Sequence, residues 1–172
     1  MKHIRDYVGR DLVWDQPHAF KEHYDLKSGD ELIATLKFRN SFGSLATGES
    51  ADGRWTFKRV GFFTTHVTVR FEGADTDLAV FRNSTWTSGG TLELPDGREW
   101  LAATNFWQTR YDITAPTDTP LLTFRRVSGL FHLSAAVDIH DAATELPELP
   151  WLVALGWYLN VLMQRDAAMM AT

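Results

Sequence analysis

Polar and apolar residues alternate with a period of two through much of residues 24–139, the mark of strands with one buried and one solvated face. Leu32, Ala34, Leu36 and Phe38 fall on one side of a first run, with Glu31, Thr35, Lys37 and Arg39 on the other. Trp55 and Phe57 alternate with Arg54, Thr56 and Lys58. Val67, Val69 and Phe71 alternate with His66, Thr68, Arg70 and Glu72. A last run sets Phe131, Leu133, Ala135, Val137 and Ile139 against His132, Ser134, Ala136, Asp138 and His140.

Turn chemistry separates these runs. Lys27-Ser28-Gly29-Asp30, Ala51-Asp52-Gly53 and Pro95-Asp96-Gly97 each offer a glycine for positive φ, and Asp-Gly between alternating runs predicts a hairpin. Thr87-Ser88-Gly89-Gly90 and the segment 115–120 read as looser connections. Turns this frequent predict roughly ten or more short antiparallel strands, closing into a barrel or folding into a sandwich.

The alternation stops before Pro147. From Trp151 to Met163 only Asn160 is clearly polar, and Pro150 with Glu145 and Glu148 ahead of it suits a helix start. A helix over about 148–165 is predicted. Being apolar nearly all round, it must be surrounded. Its apolar run is about 20 Å long at 1.5 Å per residue, short of the ~30 Å of a bilayer core. Burial within the sheet is expected, rather than a transmembrane span.

Composition sharpens this picture in three ways. A chain of 172 residues suits one domain over residues 1–172, and seven Trp and eleven Phe promise a bulky core. The absence of cysteine excludes disulfides, thiol nucleophiles and thiolate metal sites. It also fits a cytoplasmic setting, and the N-terminus lacks the apolar run of a secretory signal, so the sequon Asn83-Ser84-Thr85 is expected to be idle. A net charge of −5 argues against nucleic acid as partner.

The hairpin from His23 through Tyr24 and Gly29 to Leu32, the succession of short amphipathic strands and the terminal block from Pro147 to Met163 together resemble the tubby C-terminal-like superfamily. That group includes the tubby proteins, phospholipid scramblases and LURP-one-related proteins. The resemblance implies a mainly β fold: a closed antiparallel barrel of about twelve strands (residues 11–140) enclosing its C-terminal hydrophobic helix. It further implies a non-catalytic role on the outer surface, binding phospholipid headgroups or a partner protein, with a peripheral membrane location. A calycin-like barrel carrying a small apolar ligand in an open interior is the alternative; the position of the helix separates the two.

Tubby-like headgroup sites are built from clustered cations. The corresponding candidates are Lys37, Arg39, Lys58 and Arg70 on outward strand positions, with Arg125 and Arg126. Strands also carry outward charge simply for solubility and to blunt edges, and the acidic balance of the chain favours that plainer account. In the stretch Asp138-Ile139-His140-Asp141, continuing to Glu145 and Glu148, carboxylates are spread and no glycine makes the sharp turn of a calcium loop. His132 and His140 on one strand would lie ~26 Å apart, too far to share an ion. No Gly-x-Ser-x-Gly, Walker, His-Glu-x-x-His or dinucleotide motif occurs, so no catalysis, cofactor or metal is expected.

Overall fold

Each amphipathic strand can bury its apolar side only against a shared interior, and the chain supplies that interior by closing the sheet on itself. The computed structural model describes residues 1–84, 89–127 and 132–172. Among these, twelve strands run β1 (Leu12–Asp15), β2 (His23–Ser28), β3 (Glu31–Phe38), β4 (Ala46–Ser50), β5 (Gly53–Val60) and β6 (His66–Phe71), then β7 (Ala79–Asn83), β8 (Gly89–Glu93), β9 (Glu99–Thr104), β10 (Arg110–Ala115), β11 (Thr119–Arg126) and β12 (Ala135–Ile139). Every strand pairs antiparallel with its neighbours in sequence, and β1 closes the ring on β12 through Leu12↔Val137 and Trp14↔Ala135. Closure leaves no free edge for other chains to extend.

This up-and-down order defines two different ends. Connections after odd-numbered strands lie at one end, the loop end. Those after even-numbered strands, together with α1 (Asp141–Thr144) and the start of α2 (Leu149–Met170), lie at the other, the turn end. A 3-10 turn at Ile4–Tyr7 covers the turn end. Arg5 donates to the carbonyls of Thr144 (3.0 Å) and Leu146 (3.3 Å), and Ile4 is fully buried.

α2 runs inside the barrel. It packs against β3, β4 and β5 and also against β10 and β11, and β4 and β10 stand six steps apart on the ring of twelve. Only an axial helix touches both. Its residues from Trp151 to Leu159 are all buried, which explains a sequence without a polar face. Trp157 stacks on Trp14 at 6.0 Å, Tyr24 meets the Trp157 ring edge-on at 5.7 Å, and Tyr158 lies against Phe38 at 5.4 Å. Burial pushes the Tyr158 hydroxyl well above its ordinary range, and the group donates to the Ser44 carbonyl at 2.6 Å.

Several expectations are corrected. Leu32 points outward and Ile33 inward, at 36% and 0% exposure, because a bulge in the β2–β3 ladder between Leu26 and Lys27 shifts the start of β3 by one place. Phe71, half exposed, ends β6 outside the core and leans on Trp55 at 6.4 Å. The last strand starts at Ala135; Leu133 precedes it, and Phe131 lies outside the described residues. Segment 115–120 makes a tight hairpin instead of a loose connection. Thr117 and Asp118 take φ of 64° and 56°, a primed turn formed without glycine. Gly89 and Gly90 belong to β8, while Thr87 and Ser88, like Thr85 of the sequon, lie outside the described residues. The helix continues past 165 to Met170, since Ala167, Ala168 and the methionines are good helix formers with nothing to stop them.

The turn end carries a pH-dependent clasp. His3 Nδ1 sits 2.7 Å from Asp52 Oδ1, and this hydrogen bond and charge raise the His3 pKa above 6.5. Burial acts to raise the Asp52 carboxyl, but hydrogen bonds from the Ile4 amide, His3 and Ser50 outweigh it and hold it below 3.8. The His3 contribution is complete below pH 6.5 and is lost as pH climbs through its raised folded value. The Asp52 contribution is complete above 3.8 and is lost as pH falls through its lowered one. Amide-exchange protection of Ile4 is expected to be greatest between these values. The Asp52→Asn variant should abolish the dependence; a flat wild-type profile would refute the clasp.

Candidate functional site

Strand alternation turns most Lys and Arg outward, so what distinguishes them is whether each finds a partner. Arg70 Nε donates to Asp77 Oδ1 at 2.6 Å. Arg125 forks onto Asp138 at 2.7 and 3.1 Å and holds that carboxyl below its ordinary range. Both cations are locally neutralised. Lys37, Arg39, Lys58 and Arg126, by contrast, have no carboxylate within ion-pair reach among the described residues, and neither has Lys21.

These five share one end. Lys37 and Arg39 stand at and just beyond the end of β3, Lys58 near the end of β5, and Arg126 closes β11; Lys21 lies in the β1–β2 connection. All belong to the loop end. The register Lys37↔Thr47↔Thr56 places Lys37 and, two residues beyond Thr56, Lys58 on the same outer face, with β3 and β5 about 10 Å apart. The turn end has the opposite character: Asp30, Asp52, Asp75, Asp77, Asp96 and Asp118 all sit in its connections.

Beside Arg126 a recess of about 460 Å³ opens between α2 and the connections flanking β1 and β12, lined in part by Gln16, His132, Gln164 and Arg165. Arg165 is anchored there by Glu22 and the Gly43 carbonyl, with its guanidinium 3.9 Å over Phe38, while its Nε is buried without a partner among the described residues. Glu22 also lines this recess and neutralises Arg165, so Arg126 is the lining cation left without a carboxylate among the described residues. A second recess of about 470 Å³ lies across the helix, lined by Val67, Phe81, Tyr111, Leu162 and the Arg59–Asp166 pair (2.7 Å). It is a mouth, not an axial cavity. The helix occupies the axis, which removes the open interior that a calycin-like ligand site needs.

The acidic stretch before the helix is dispersed by its partners: Asp138 goes to Arg125 and Glu148 to Arg98. His132 bonds the Gln16 carbonyl and His140 the Thr123 hydroxyl, well apart. Asn160 satisfies itself by donating to the Gly156 carbonyl of its own helix at 2.8 Å. Sequence reasoning passed over Lys21. It also assigned the aromatics to packing, yet Phe20, Phe42, Phe62, Phe63, Phe106 and Trp107 are each more than three-quarters exposed, all in loop-end connections. The available signal was their setting: Ser41-Phe42-Gly43, Gly61-Phe62-Phe63-Thr64 and Asn105-Phe106-Trp107-Gln108 place aromatics among turn formers.

The class so defined is a closed twelve-strand barrel filled by its own C-terminal helix, with the cations that lack a partner among the described residues gathered at the loop end. The fold is similar to that of the Arabidopsis thaliana protein AT5G01750, known from an X-ray structure, with 11% identity, a TM-score of 0.57, and coverage of 92% of this chain and 95% of that one. No family model matches the chain, and no curated protein does.

Proposed function

We propose that this protein is a non-catalytic, tubby-like or LURP-one-like binding module that attaches peripherally to membranes by engaging anionic phospholipid headgroups at its loop end. One observation carries this: the Lys and Arg side chains left without a carboxylate, carbonyl or ring partner, among the described residues, are Lys21, Lys37, Arg39, Lys58 and Arg126, all at that end. An overall charge of −5 does not oppose this, because the carboxylates of the connections collect at the far end and orient the molecule in the field of a negative surface. The absence of any recognised catalytic motif agrees with a binding role.

A cation near an anionic surface is worth about 1 kcal/mol. The combined Lys37→Ala, Arg39→Ala and Lys58→Ala variant is therefore expected to bind vesicles of phosphatidylcholine with roughly 30% phosphatidylserine about a hundredfold more weakly than wild type. Co-sedimentation at graded salt measures this, and added salt should weaken the wild type too. Equal binding to phosphatidylcholine with and without phosphatidylserine, or none to either, would defeat the proposal.

A further inference from the structure

The exposed aromatics form a pattern that headgroup attraction leaves unexplained. Phe20 stands in the β1–β2 connection, Phe42 in β3–β4, Phe62 and Phe63 in β5–β6, and Phe106 and Trp107 in β9–β10. Phe62 and Phe63 meet edge-on at 5.1 Å, and Phe106 and Trp107 at 5.0 Å, so each pair presents an exposed wedge that no described side chain covers. Closing a hairpin does not require them. At the turn end the same topological task is done with Asp and Gly, and no Phe, Trp or Tyr occupies those connections. Met169 and Met170 at the end of α2 are exposed, and Met170 shares a recess at this end with Asn83 and Gln108.

We infer that this rim is a membrane-insertion surface, and that its aromatic tips sink into the headgroup–acyl boundary of an anionic phospholipid bilayer. This rests on the phospholipid reading above and adds how the contact is made. Three features select a bilayer over a protein. First, the β3–β4 and β9–β10 connections lie on opposite sides of the ring, so their tips reach a flat surface together, whereas a peptide or helix would need a groove joining them. Second, Trp settles at the membrane interface, Phe is among the side chains that surface-bound segments bury at the headgroup–acyl boundary, and methionine adds adaptable apolar surface beside them. Third, the charges are complementary: Lys21 adjoins Phe20 and Arg39 lies near Phe42, while the one carboxylate in the loop-end connections, Glu22, is already bound by Arg165. The acidic turns face away. Attraction by cations combined with shallow apolar insertion gives two independent signals for attachment.

The test separates these signals. On the same vesicles, the combined Phe42→Ser, Phe63→Ser and Trp107→Ser variant should bind roughly a hundredfold more weakly. Wild type, but not this variant, should keep residual binding at high salt, where charge is screened. All three positions are exposed, so the far-UV circular dichroism and the urea unfolding midpoint should match wild type. The chain lacks cysteine, so single Phe42→Cys and Asp96→Cys variants can each carry an environment-sensitive dye. Vesicles should blue-shift the dye at 42, and spin-labelled lipid should quench it there, with neither effect at 96. If the cation variant weakens and the rim variant does not, insertion is wrong while headgroup binding stands. If no form binds vesicles, both fall. If wild type self-associates and the rim variant is monomeric without any vesicle binding, the rim is an interface between copies and insertion is again overturned.

Discussion

Trp157→Ala is expected to lower the free energy of unfolding by about 3–5 kcal/mol, the cost of removing a large aromatic side chain from a packed core. Trp157 is 1% exposed and lies between Trp14, which it stacks on at 6.0 Å, and Tyr24, which meets it edge-on at 5.7 Å. One side chain thus ties the helix to β1 and β2, next to the β1–β12 seam where the ring is closed. A closed barrel is poorly able to collapse around a void, because its circumference is set by hydrogen-bonded ladders. The cost should fall near the upper end. For a chain of this size it corresponds to a drop of about 10 °C or more in the melting temperature by circular dichroism. Trp157→Phe should cost much less. It leaves a ring in place and removes an indole N–H that is buried with no partner among the described residues, a group that is itself unfavourable in the native state. A loss below about 1 kcal/mol for the alanine variant would mean that the helix does not fill the barrel as described.

Gly156→Leu should be more severe and leave little folded protein at 37 °C. A Cβ at position 156 would lie 2.3 Å from Phe124 Cζ and 2.4 Å from Cε2, with Ile113 Cδ1 at 3.4 Å. Phe124 is fully buried and braced by Tyr111 at 6.5 Å, so its ring has nowhere to swing. Glycine here is a matter of space, not of backbone conformation. In an exposed helix the replacement of Gly by Ala would gain about 1 kcal/mol. Here Gly156→Ala is expected to lose roughly 2 kcal/mol, because overpacking outweighs propensity. Adding Phe124→Leu makes room, and the double variant should recover at least about 1 kcal/mol relative to additivity. Urea unfolding of the four species measures this coupling; strict additivity would show that the close approach of α2 to β11 is not what requires the glycine.

Much of the architecture was legible because two periodicities are cleanly written. Trp55, Phe57, Val67 and Val69 alternate and are buried as that alternation demands, and the helix announced itself by lacking a polar face. What escaped has physical reasons. Alternation assumes an unbroken register, so the bulge near Lys27 inverted Leu32 and Ile33 without any trace in composition. The Thr117-Asp118 turn sets a β-branched Thr at positive φ beside an Asp that tolerates it, so the usual glycine signal was missing. Among the candidate cations, outward direction was readable but partnership was not. Arg70 and Arg125 are engaged by Asp77 and Asp138, the latter reached only across a strand pair. Aromatic content predicted a bulky core, true of Trp14 and Trp157, but a count does not tell a core tryptophan from the one at position 107.

The order of parts along the chain has a consequence for how the molecule is made. The helix that occupies the barrel follows every strand it packs against. During synthesis the inner faces of β1 to β12 are therefore complete before their filler exists. At about 5–20 residues per second this interval lasts on the order of a second or longer. For that time the sheet can collapse but not reach its native packing, and the apolar sides of its strands need shelter from one another and from neighbouring chains. A nascent chain halted before Trp151 should engage chaperones strongly. Once α2 emerges, the ring has its axis and the exposure ends.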